Sequence, residues 1–219
     1  MPRKPPPDYE GIEQAAWREN AGAVPSELQS NSKRLLTRIR AFIARFGFPE
    51  DAVKAKLRDD AMFAAHFAKE PRRTGLHEKC AAQWIKTLPT VTGFRILPKN
   101  GPDSIYITRD GNINHGALGN RPGKSLDFTW LTGNTTCYAM HKYTKESGGH
   151  QDSAHIEMVD LLRNFMSCNV RTCVLFVIAD GPYFVGQKMA DLRNYLRTSP
   201  PRSYALSIDE LPGILAFLA

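Results

Sequence analysis

The chain has 219 residues, 42% of them hydrophobic, and its 29 Lys and Arg against 22 Asp and Glu give a formal charge of +7. That length supports one sizeable core with a small helical appendage, and the composition is that of a folded globular protein rather than a disordered one. No apolar run is long enough to span a bilayer. The start Met1-Pro2-Arg3-Lys4-Pro5-Pro6-Pro7 has no apolar stretch behind its charges, which argues against a secretory signal and predicts a flexible basic tail over residues 1–10. The cationic balance suits a polyanionic partner, because each neutralised phosphate releases condensed counterions.

The four cysteines, Cys80, Cys137, Cys168 and Cys173, form no CxxC pair. Their spacing disfavours a zinc site and fits buried thiols in a reducing compartment, so the expected location is cytoplasmic.

Residues 11–71 read as a helical region that dimerises or embraces DNA. Ser26 is a fitting N-cap. Leu28, Leu35, Leu36, Ile39, Phe42, Ile43 and Phe46 then recur at helical spacing until Gly47 and Pro49 stop the helix. Lys33, Arg34, Arg38, Arg40 and Arg45 decorate this stretch, either as a phosphate-facing stripe or as a solvated face. Shorter helices are predicted around 50–58 and 60–69, and Pro71 and Gly75 mark a boundary before a core over residues 72–219.

That core opens with a helix over 75–88, followed by β-type runs near 93–97, 104–108, 125–131 and 135–143. A helix over 152–166 with Asp152 as N-cap comes next. The apolar strand Cys173-Val174-Leu175-Phe176-Val177-Ile178 follows, of the kind usually covered on both faces. A turn at Asp180-Gly181-Pro182-Tyr183, a helix near 185–197, a short strand over 204–206 and a helix over 208–218 complete the chain. The order predicts an α/β (α+β) fold with a central mixed sheet flanked by helices.

Alternation within the 125–131 run puts Asp127 on a polar face with Ser125 and Thr129, and Leu126, Phe128 and Trp130 on the core face. Lys142 shares a face with Tyr138 and Met140. If the two strands are neighbours, Asp127 and Lys142 meet near one sheet edge. A carboxylate there can hold a hard cation beside a phosphate, and a lysine can orient or deprotonate the attacking water. A plain cross-strand ion pair is the alternative.

The stretch Lys124-Ser125-Leu126-Asp127-Phe128 is followed by Tyr138-Ala139-Met140-His141-Lys142-Tyr143-Thr144-Lys145-Glu146-Ser147-Gly148-Gly149-His150-Gln151-Asp152 and then by Ile178-Ala179-Asp180-Gly181-Pro182-Tyr183. Together these resemble type II restriction endonucleases of the PD-(D/E)xK superfamily over roughly residues 75–210. The resemblance implies a restriction-endonuclease-like core of αβββαβ order. It also implies Mg²⁺-dependent, sequence-specific cleavage of double-stranded DNA to 5′-phosphate ends by a homodimer. A cognate DNA methyltransferase is then expected in the same host, with no membrane association.

Residue by residue, Asp127 matches the family's metal-binding aspartate and Lys142 its lysine. The carboxylate position between them holds Met140, whose thioether cannot replace an anionic oxygen for Mg²⁺. Some members move that acid to the following helix, which makes Glu157 the first replacement and Asp152 the second. Glu78, on the helix opening the core, is a third metal candidate. Each has a plainer reading: Glu157 on a solvated face, Asp152 as a cap, Glu78 as a helix-terminal acid. Lys124, Tyr143, Lys145, His150 and Gln151 are the expected DNA contacts, in or beside a glycine-bearing loop. The alternatives are a structure-specific repair nuclease of the same fold and a catalytically inactive DNA-binding module, which the vacancy at Met140 favours.

Overall fold

The structure, a computed structural model, describes residues 5–71, 73–116, 123–146 and 149–219, without the side chains of residues 73, 74 and 149–151. Contacts divide it into two compact units, Asp8–Leu76 and His77–Ala219.

The first unit is built from α1 (Tyr9–Gly22), α2 (Val24–Gln29), α3 (Lys33–Phe46), α4 (Glu50–Asp59) and α5 (Ala61–Ala65). α1 starts inside the stretch expected as tail, because the Asp8 carboxylate accepts the Gly11 N–H at 2.9 Å and caps it. The single helix expected from Ser26 to Phe46 is two. The chain reverses between them at Asn31, whose φ of 54° is a conformation Asn tolerates. Gly47 ends α3 in the left-handed conformation, as its position predicts. Leu35, Ile39, Val53, Leu57 and Phe67 fill the unit's core. The expected helix over 60–69 shortens to α5, which Asp60 caps through the Phe63 N–H at 3.0 Å.

The second unit begins in α6 (Arg73–Ile85). It continues through β1 (Thr92–Ile96), β2 (Ile105–Thr108), β3 (Ile113–His115), β4 (Gly123–Ser125), β5 (Phe128–Thr132) and β6 (Thr135–Tyr143). Then follow α7 (Gly149–Met166), β7 (Cys173–Asp180), a 3₁₀ turn at Pro182–Phe184, α8 (Gln187–Arg193), β8 (Arg202–Leu206) and α9 (Leu211–Leu218). A five-stranded mixed sheet runs β1-β5-β6-β7-β8. Its first three strands are antiparallel and its last three parallel. A smaller antiparallel sheet, β3-β2-β4, stands apart from it. Sequence alone did not mark β3.

Every residue of β7 is buried, as its unbroken apolar run requires of a central strand. Leu175, Val177 and Ala179 join Met140 of β6 and Met158, Leu161, Leu162 and Phe165 of α7 in one cluster. On the opposite face Phe94, Trp130, Phe176 and Tyr204 stack across four strands, with successive ring centroids 6.2, 5.4 and 5.5 Å apart. Trp130 and Phe176 are fully buried, and full burial of a Phe side chain contributes about 1.5–3 kcal/mol.

The expected strand over 125–131 is broken at Leu126-Asp127. β4 pairs with β2 in the small sheet, whereas β5 pairs with β1 and β6 in the large one. Leu126 therefore packs in the α7 cluster, while Phe128 and Trp130 lie with Phe94 on the other side. The three do not form one apolar face.

At the far end of β7 the chain turns through Gly181, with φ of 97°. A Cβ there would lie 2.3 Å from the Thr144 carbonyl oxygen, so only glycine allows this turn to close against the end of β6. Gly181→Ala is expected to cost about 2–4 kcal/mol by combined backbone strain and overpacking. Urea denaturation measures it, and a variant of wild-type stability would contradict this account of the turn.

Candidate functional site

The strand break creates the site. Asp127 occupies the step between the two sheets, where its N–H donates to the Ala139 carbonyl and its own carbonyl accepts the Leu97 N–H, each at 2.8 Å. Its side chain turns inward, 6% exposed, and Oδ2 accepts the backbone N–H of His141 at 2.8 Å. The carboxylate is thus tied to the strand residue immediately before Lys142.

Two charged groups act on Asp127. The Glu78 carboxyl, brought in by α6, and the Lys142 ammonium are both close enough for their charges to be felt. Burial, then the Glu78 charge, pushes Asp127 up from the ordinary 3.8 to about 7, against the opposing pull of the His141 N–H and Lys142. Asp127, holding its proton near neutrality, and the neighbouring Glu78 carboxyl form an oxygen-only pair suited to a hard cation, which offsets both the burial of Asp127 and the repulsion it feels.

Lys142 projects from the α7 side of β6, the side on which Met140 is buried. Its Nζ lies 3.0 Å from Glu157 Oε2 on α7. Glu157, named as first replacement for the missing acid, therefore meets the lysine. The partners' side chains are 23% and 43% exposed, so the contact sets direction more than stability. Met140 lies wholly within the apolar cluster and offers the site nothing.

Asp152 is held elsewhere. α7 begins at Gly149, which puts Asp152 in the helix's first turn rather than at its cap. Its Oδ1 accepts from the Tyr183 hydroxyl at 2.6 Å and from Lys188 Nζ at 3.4 Å, and these two donors hold its carboxyl below the usual range. Glu78 also lies 3.6 Å from Lys99. Among the expected DNA contacts, Lys124 pairs with Asp160 at 3.6 Å, and the Tyr143 ring lies 4.4 Å from that of His77. Lys145 is partly exposed; the side chains of His150 and Gln151 lie outside the described residues. Among the described residues, no group of three or more His, Cys, Asp or Glu side chains is arranged to hold a metal ion.

Sequence reasoning missed the buried pair on the other face of β6. His141 Nε2 lies 3.0 Å from Asp180 Oδ2, and Asp180 Oδ1 accepts the Ile208 N–H at 2.8 Å. Together these tie β6, β7 and the segment after β8 at the level of Asp127. The signal was an acid ending an otherwise apolar run, which reads equally as a turn residue. All four cysteines are free thiols, with Cys137, Cys168 and Cys173 buried and Cys80 intermediate. No helix among the described residues is long and apolar enough to cross a membrane.

No protein-family model and no curated protein matches this chain. Among solved structures, protein VC1899 from Vibrio cholerae is similar at a TM-score of 0.34 and 15% identity, covering 96% of this chain and 55% of that one. The chain thus spans little more than half of that protein, and a likeness of this degree fixes neither fold nor function.

The folded protein holds the Asp127 proton more tightly than the unfolded chain does. This contribution to stability is therefore full below 3.8 and falls as pH rises toward about 7, beyond which it is flat. Asp127→Asn keeps the acceptor for the His141 N–H and removes the charge. It is expected to raise the melting temperature by several degrees at pH 8 and to change it little at pH 4, read by differential scanning calorimetry. An equal shift at both pH values would contradict the assignment.

Proposed function

We propose that this protein is a Mg²⁺-dependent endonuclease that hydrolyses phosphodiester bonds in double-stranded DNA, with the site-specific type II restriction character its motifs resemble. The observation that carries the reading is the convergence of the Asp127–Glu78 acid pair with the Lys142–Glu157 ion pair. Taken without the inserted β2–β4 sheet, the order α6-β1-β5-β6-α7-β7, with β6 and β7 parallel, is consistent with the αβββαβ arrangement that the resemblance implies.

Asp127 and Glu78 would hold the ion. Two carboxylates suffice, because Mg²⁺ usually keeps several waters and takes further ligands from substrate phosphate. When bound, the ion neutralises charge developing on the phosphate and its leaving oxygen. The Lys142 ammonium donates a hydrogen bond that orients the attacking water, whose proton passes to solvent. Glu157 acts through Lys142, holding the ammonium toward the site. Dimerisation and a partner methyltransferase belong to the same reading, since a two-fold protein matches a palindromic site.

Cleavage of supercoiled plasmid with Mg²⁺ tests this. Discrete fragments are expected from the wild type. Asp127→Ala should lose about 10²–10³-fold in rate, Lys142→Ala about 10²–10⁴-fold and Glu157→Gln about 10–100-fold. Cutting untouched by Asp127→Ala would contradict the site. Structure-dependent nicking in place of discrete fragments would point to a repair nuclease, and salt-sensitive binding without cutting to an inactive module.

A further inference from the structure

The helical unit carries a surface that the cleavage reading leaves unused. α3 holds five cations, Lys33, Arg34, Arg38, Arg40 and Arg45, and no acid. Arg34 is committed to Glu27 and the Phe67 carbonyl. Arg38 is fixed by the carbonyls of Ala68 at 2.7 Å and His66 at 2.8 Å, which hold its charge in place without neutralising it. Beside it runs a shallow groove lined by Arg38, Phe42, Arg45, Phe46, His66 and Phe67. No carboxylate lines it.

The aromatic groups here are displayed rather than packed away. Phe46 and Phe48 are each 52% exposed. Phe42 backs both of them, 4.7 Å from Phe46 and stacked with Phe48 at 5.9 Å with 15° between the rings. The Arg45 guanidinium sits 5.3 Å from the Phe46 centroid. Two half-exposed rings on an aromatic base, beside fixed cations, have the chemistry of a stacking platform for unpaired bases. A second copy of this chain would set arginine against arginine across a two-fold axis, which opposes self-association here.

We propose that this groove, with the adjoining Phe48 ring stacked on its Phe42, binds single-stranded nucleic acid, with bases stacked on Phe46 and Phe48 and backbone phosphates beside Arg38 and Arg45. The site lies wholly within the helical unit and does not depend on the chemistry of the core. It gives the protein a way to engage an unpaired strand.

Fluorescence anisotropy of the full chain with a labelled 20-nucleotide oligothymidine, in EDTA, tests the proposal. Without divalent ions the result is independent of whether the core cuts. The wild type is expected to bind with a marked salt dependence. Phe46→Ala/Phe48→Ala should weaken binding at least about tenfold, and Phe46→Trp/Phe48→Trp should retain it. Arg45→Gln should lower the slope of log affinity against log salt by about 0.7. The alanine pair retaining wild-type affinity, or the wild type failing to bind the oligonucleotide, would overturn the proposal. So would a change of sedimentation, rather than of affinity, in the alanine pair, since that marks a protein–protein surface. If the alanine pair fails to fold, the tryptophan pair and Arg45→Gln decide.

Discussion

Everything at the site depends on one hydrogen bond, the His141 N–H to the Asp127 carboxylate at 2.8 Å. It exists because the chain leaves one sheet and enters another at Leu126-Asp127. A continuous strand would pair its backbone and send alternate side chains to opposite faces. At the break Asp127 keeps its backbone bonds to Ala139 and Leu97, while its side chain turns in to cap the strand that carries Lys142. An acid is thereby buried beside a lysine and a second acid, an arrangement that opposes folding at neutral pH unless something else compensates. Such local cost is characteristic of sites that bind or react.

The two faces of β6 divide the work. Met140 and Lys142 face α7, one in the apolar cluster and the other at its margin, where Glu157 meets it. His141 faces the opposite way and closes a buried pair with Asp180, which in turn holds Ile208. The strand is pinned from one side and carries the candidate site on the other. Gly181 completes the frame by letting the turn after β7 close on Thr144, two residues beyond Lys142.

Much of this was legible in the sequence because its signals are local. β7 announced itself by an unbroken apolar run, α3 by its periodicity and Gly47, and Lys142 by its place at the end of a strand. Glu157 was named by asking which helix residue could reach back over that strand, and the structure sets it against Lys142. The break at Asp127 was not legible, since Ser125-Leu126-Asp127-Phe128 alternates well enough to pass as one strand. Its real sign is that Leu126 and Phe128 serve different clusters, a tertiary fact. Asp152 misled for a similar reason: an acid near a helix start looks like a cap, and only tertiary structure reveals Tyr183 and Lys188 as its partners.

The vacancy at Met140 thus has a physical meaning. On the proposed reading, the acid that the resemblance expects on that strand is replaced by groups from two helices, Glu78 beside Asp127 and Glu157 beside Lys142. The central claim is that Asp127 and Glu78 together form a divalent-cation site. Titration of Mn²⁺ into the full chain, followed by electron paramagnetic resonance of the free ion, tests it most directly. The account predicts one ion bound per chain in the wild type and its loss in both Asp127→Asn and Glu78→Gln. Stoichiometric binding that survives both substitutions, or no binding by the wild type, would contradict it.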